Sequence, residues 1–183
     1  MEPLAVGRKS GTSNLRSQLL MVGAGIAFLA VIALLALLYM QNRAENKFTK
    51  EFVVALYGLK SGTDHCLKKS EILGSGNRLS DKDLALLTSV KAEIATAVQV
   101  LSPPPEKFND VHSRLVNLSA TYEKLHSLCI TSGPSTAVPV SAKALESQFI
   151  KQAKELKSAL PPALLAELIA KAPRYSNLQF MLE

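Results

Sequence analysis

The sequence has no tryptophan, 5% aromatic residues and two cysteines in 183 positions. A β-sandwich fills its core from short alternating runs of Val, Thr, Tyr and Trp, so scarcity of these types argues against that class. Two cysteines make no disulfide framework. Neither lies in a Cys-x-x-Cys or Cys-x-x-Cys-His motif, which removes thioredoxin-like redox chemistry and c-type haem attachment. Also absent are the GxxxxGK[ST] and GxGxxG loops that cradle phosphates and the GxSxG turn that presents a nucleophilic serine. The carboxylates occur singly along the chain, with no pair set up for acid/base work. No enzyme activity, cofactor or small-molecule substrate is expected.

The three histidines, His65, His112 and His126, lack the close HxxxH-type spacing and accompanying carboxylates of zinc sites. They are expected as surface or boundary residues rather than ligands, and no metal site is expected. The net charge of +6 comes from 21 Lys and Arg against 15 Asp and Glu, with the two signs interspersed. Mixed charge of this kind is a solvated helix surface. With no basic arm and no aromatic-basic motif, nucleic acid is not an expected partner.

What the chain does have is a long apolar run. No charged residue occurs between Arg16 and Arg43, and Leu19–Met40 is almost wholly apolar. At ~1.5 Å per residue this run reaches roughly 33 Å, the thickness of a bilayer core. It is too long for the apolar region of a cleavable signal peptide, and Tyr39-Met40-Gln41-Asn42-Arg43 offers no small-x-small cleavage site. The expected organisation is a short cytoplasmic tail (1–18), a transmembrane helix (19–40), a helical bundle domain (41–160) and an amphipathic C-terminal segment (161–183). Lys and Arg are balanced across the two flanks. A short tail is easily retained while a long following domain translocates largely regardless of charge. The expected placement is therefore a cytoplasmic N-terminus and a periplasmic or otherwise extracytoplasmic main domain. Gly23, Ala27 and Ala30 form a small-residue stripe that lets another membrane helix approach closely, although small residues are common in such helices.

Beyond the run the pattern is helical. Phe48, Phe52, Ala55, Leu59, Cys66 and Leu73 step by three and four over about 43–73, with Gly62 and Lys69 in the missing places. Gly74-Ser75-Gly76-Asn77 is a turn, and Ser80 with Asp83 reads as a capping box. Leu84, Leu87, Val90, Ile94, Val98 and Leu101 form a second face, ended by Pro103-Pro104-Pro105. The third helix has the most regular seam, Phe108, Val111, Leu115, Leu118, Tyr122, Leu125 and Cys129. A loop over 131–140 precedes a fourth helix capped by Ser141 and running to about Leu160, with Leu145, Phe149, Ala153 and Leu156 inward. Pro161-Pro162 breaks it before a short helix, Ala163–Ala172. The expected fold is all-α: an N-terminal transmembrane helix, an antiparallel up-and-down bundle of about four helices, and a short amphipathic helix.

Two constellations bear on function. In an up-down-up bundle the first and third helices run parallel, which brings Cys66 and Cys129 to similar heights. They form either a disulfide closing a long loop or two buried thiols acting as small apolar residues. At the C-terminus, Leu164, Leu165, Leu168, Ile169, Phe180 and Met181 make an apolar stripe and tail that must be covered. They either fold over the bundle's own core or dock in a groove of a partner.

The stretch Val100-Leu101-Ser102-Pro103-Pro104-Pro105-Glu106-Lys107-Phe108, followed by Val111-His112 and Leu115, resembles uncharacterised bacterial envelope proteins. Those are anchored by a lipid or a single span and carry a helix, a proline break and a His-containing helix. The resemblance, within about 100–126, implies a bacterial envelope location and no activity. The expected function is a non-enzymatic, membrane-anchored accessory or scaffolding subunit. Its partners would be the lipid bilayer and other membrane-protein subunits or further copies of itself. The alternative is an extracytoplasmic sensory or small-ligand-binding bundle.

Overall fold

The computed structural model describes the backbone of residues 12–182 and the side chains of residues 29–182. All its regular structure is helical: α1 (Thr12–Gly74), α2 (Asp81–Gln99), a 3-10 turn (Glu106–Phe108), α3 (Asn109–Thr131), α4 (Ala137–Ser158), α5 (Pro162–Lys171) and a second 3-10 helix (Ser176–Met181). The chain divides into two compact units, residues 1–43 and 44–183.

In the first unit, the expected span over 19–40 lies partly outside the residues whose side chains are described, as do Gly23 and Ala27 of the small-residue stripe. Among the described residues no helix is long and apolar enough to cross a membrane. In the described part of the run, Leu29, Val31, Ile32, Leu34, Leu35, Leu37, Leu38, Tyr39 and Met40 are all exposed, from 47% at Ile32 to 68% at Tyr39. Ala30, the third residue of the stripe, is exposed as well.

The second unit is a helical bundle, and pairs of contacts fix the direction of each helix. Phe48 stacks on Phe108 at 4.7 Å, and Cys129 meets Cys66 further along. Sequence number rises together on the two helices, so α1 and α3 run parallel. Gly58 faces Ile94 while Lys69 pairs with Asp83, so α2 runs against α1. Thr121 Oγ1 donates to Gln152 Oε1 at 2.7 Å, and Gly74 packs against Pro139. These set α4 antiparallel to both α1 and α3. This up-down-up-down alternation follows from short connections between consecutive helices.

The connections have local causes. Gly76, at φ +85°, takes the left-handed conformation that follows a helix C-terminus. The amides of Gly76 and Asn77 close back on the carbonyls of Leu73 and Ile72. Ser80 and Asp83 form the expected capping box at the start of α2. One boundary differs from expectation. α4 begins at Ala137 rather than after Ser141, so Val138 and Pro139 lie in its first turn. Proline is tolerated there because the first-turn amides have no intrahelical partner. The C-terminal tail is likewise not an open end but the 3-10 helix Ser176–Met181.

The core is one cluster. The complete α3 seam is buried, and so are Phe48, Phe52, Ala55, Leu59, Cys66 and Leu73 of α1. The face of α1 is wider than that seam, because Val53, Leu56, Thr63 and Ser70 are buried too. A helix packed against several neighbours buries a broad stripe rather than a line.

Candidate functional site

Leu164, Leu168 and Met181 are buried in the same cluster as the α1 and α3 seams, together with Leu178. The docking expectation is corrected for these residues, since a side chain that fills the bundle's own core cannot also fill a partner's groove. The physical reason lies in the amphipathicity of α5. Its Leu164 and Leu168 stripe closes over apolar surface that the four longer helices leave open. Leu165 and Phe180 are half-buried at the edge of this contact. Ile169, 54% exposed, is the member of the set that faces solvent.

The deepest polar chemistry sits between α1 and α3, where the two cysteines meet. Both are buried and both are free thiols. The Cys129 thiol donates to the Cys66 carbonyl at 3.2 Å. The two sulfur groups also interact with each other. Hydrogen bonding with Cys129, then burial, pushes the Cys66 thiol well up from its ordinary value, while the bond from Cys66 draws Cys129 down. Cys129 also borders a small cavity of about 200 Å³ lined by Leu73, Arg78, Ile130 and Pro134.

Four further residues, Gly62, Thr63, Tyr122 and His126, are buried on the same two helices. Gly62 allows the Tyr122 ring to approach so closely that a Cβ on residue 62 would lie 2.7 Å from ring carbon Cε2. Burial, and after it the neighbouring thiols, pushes the Tyr122 hydroxyl above its ordinary value. That hydroxyl and Thr63 Oγ1 are buried with no hydrogen-bond partner among the described residues. His126 corrects the expectation of surface or boundary histidines, because it is 95% removed from solvent, at 5% exposure. Its Nε2 donates to the Leu87 carbonyl at 3.2 Å. Burial, then the Lys91 charge, holds it below the ordinary histidine value and therefore neutral at pH 7. The sequence signal was available, since His126 lies four residues after Tyr122 and flanks the seam.

His65 and His112 are half-buried and separate. His65 Nδ1 donates to the Ser61 carbonyl at 2.8 Å, and His112 Nε2 lies 3.1 Å from Ser102 Oγ. Among the described residues no three His, Cys, Asp or Glu side chains converge as a metal set.

A second concavity lies elsewhere on the bundle. It is a cleft of about 700 Å³ lined by Lys60, Ile150, Ala153, Lys154, Lys157, Phe180 and Met181. These come from α1, α4 and the C-terminal 3-10 helix, segments that no local pattern links.

No family model, curated protein or solved structure matches the chain.

Proposed function

We propose that the chain is a non-enzymatic accessory or scaffolding subunit of a bacterial envelope complex. In this reading residues 19–40 anchor it in the cytoplasmic membrane and the bundle lies on the periplasmic side. One observation carries the reading. A run with no charge from Leu19 to Met40 leads into a helix whose described part exposes every large apolar side chain from Leu29 to Met40. Apolar surface on all sides of a helix is stable only when lipid or protein covers it. Arg16 and Arg43 flank the run and Tyr39 sits at the depth of an interfacial aromatic.

Within the membrane, Gly23, Ala27 and Ala30 offer a face for another helix. On the bundle, Ile169 and the outward side of α5 remain for partner contact, now that Leu164 and Leu168 serve the core. The cysteine pair fits an oxidising compartment, where the two adjacent thiols would join. Peptide mapping without reductant, on protein taken from membranes, should find Cys66 and Cys129 linked. Two freely alkylated thiols would count against the periplasmic placement.

The experiment that tests the scaffolding role is native mass analysis of the gently solubilised protein. A complex of fixed stoichiometry, well above the mass of one chain, is the expected result. A chain that leaves the membrane alone as a monomer contradicts the role. A second reading, a sensory or small-ligand-binding bundle, is favoured by the 700 Å³ cleft.

A further inference from the structure

We propose that the cleft between α4 and the C-terminal 3-10 helix binds an organic anion with an apolar body: a carboxylate or phosphate head on an alkyl or aryl tail. The inference deepens the ligand-binding reading by naming the ligand class, and it does not depend on the scaffolding role.

The volume of about 700 Å³ falls within the range of small-molecule sites. Its floor is apolar and fixed, because Ala153 and Met181 are both 1% exposed. Ile150 and Phe180 form the walls. Three lysines, Lys60, Lys154 and Lys157, line the cleft, and no carboxylate does so among the described residues. Asp64 pairs with Lys60 from outside it, which holds the Lys60 ammonium over the Phe180 ring at 5.6 Å. Neither Lys154 nor Lys157 takes part in any ion pair found among the described residues.

Position along α4 adds a direction. Ile150, Ala153, Lys154 and Lys157 fall at i, i+3, i+4 and i+7, so they share one helix face. That face is apolar at its N-terminal end and cationic at its C-terminal end. A ligand matching it has a tail at one end and a negative head at the other. A cation would meet the positive charges of Lys154 and Lys157, and a neutral apolar molecule would desolvate these lysines without pairing them.

The test is calorimetric titration of the full chain in lipid nanodiscs, with empty discs as the blank. Three probes that each contain eight carbons are used: octanoate, octyl phosphate and octylammonium. Saturable binding of an anion, absent for octylammonium and weakened by added salt, is the expected result. Octanoate and octyl phosphate separate a carboxylate site from a phosphate site. The double variant Lys154→Ala/Lys157→Ala should weaken the anion on the order of tenfold, as loss of charged hydrogen bonds does. Ile150→Glu, at a position 38% exposed, should abolish binding by placing a negative charge in the wall, with a melting temperature close to that of the native chain as the check that the fold is kept. Equal uptake of octylammonium, anion binding unchanged in both variants, or no binding above empty discs would overturn the proposal. None of these results bears on the mass of the solubilised complex, so this proposal and the scaffolding role fail separately.

Discussion

Two stretches of one helix behave in opposite ways. From Leu29 to Met40, α1 exposes its large apolar side chains on every side. From Phe48 to Leu73 the same helix buries Phe48, Phe52, Leu56, Leu59 and Cys66 and leaves Lys50, Lys68 and Glu71 outside or at the edge. Backbone geometry is common to both stretches, so the difference lies in pattern. The first stretch has no polar period, and a helix without a polar face has no orientation to choose in water. The second repeats apolar residues by threes and fours between charges, which gives it one side for a core and one for solvent. The pattern changes within a few turns, between Met40 and Phe48, where Gln41, Asn42 and Arg43 intervene.

The buried side of this comparison is broken most severely by removing residues 162–183. That deletion takes away Leu164, Leu168, Leu178 and Met181, each 1% exposed or less. Each side chain contributes about 1.5–3 kcal/mol on full burial. Together they are of the order of a small domain's whole folding free energy. Thermal unfolding of the truncated chain should lose its cooperative transition. An unchanged melting temperature would mean the segment is not part of the core.

A smaller break comes from Gly62→Ala. The new Cβ would lie 2.7 Å from both Tyr122 Cε2 and Ile94 Cδ1 and 3.0 Å from Tyr122 Cζ. A buried ring cannot swing aside cheaply, and overpacking costs about 1–3 kcal/mol. This exceeds the ~1 kcal/mol that alanine contributes over glycine in an open helix position. Differential scanning calorimetry should show a melting temperature lower by roughly 2–6 °C. Gly58→Ala is the matched control, since its Cβ would meet a single flexible side-chain atom, Ile94 Cγ1, at 3.3 Å. It should be near neutral.

How far the bundle was legible can be judged from particular residues. The α3 seam from Phe108 to Cys129 is buried in full, because strict spacing on a helix with polar residues between leaves one way to pack. The same holds for the α1 residues Phe48 to Leu73 and for the Ser80–Asp83 cap. Val53, Leu56, Thr63 and Ser70 escaped a reading limited to one seam, since their burial comes from neighbours on either side of it. The start of α4 falls inside the expected loop over 131–140, because the first turn of a helix accommodates Pro139. The burial of Leu164, Leu168 and Met181 was one of two alternatives, and only tertiary packing decides between them. The lysine cleft left no trace in local sequence. Its residues are drawn from Lys60, from Ile150 to Lys157 and from the tail, and the bundle alone brings them together.

The smallest expected effect sharpens the comparison at the far end of the buried stretch, where Lys69 of α1 reaches Asp83 of α2 at 2.6 Å. The hydrogen bond from Lys69, followed by those from Ser80, lowers the Asp83 carboxyl from 3.8 to about 2. A carboxyl whose folded value is depressed contributes stability that is fully present above its unfolded value. That contribution is lost as pH falls from about 4 through about 2. Urea midpoints of the native chain should therefore fall across this window more steeply than those of Asp83→Asn, which has no such proton to take up. Parallel curves would show that the ion pair is not coupled to folding.

The exposed side of the comparison carries the central claim, that Leu19–Met40 lies in a bilayer. Alkaline carbonate washing of membranes containing the full chain tests it most directly, because it strips peripheral proteins and leaves spanning ones. The full chain should stay entirely in the membrane pellet. Its recovery in the supernatant would contradict the anchor and, with it, the proposed role.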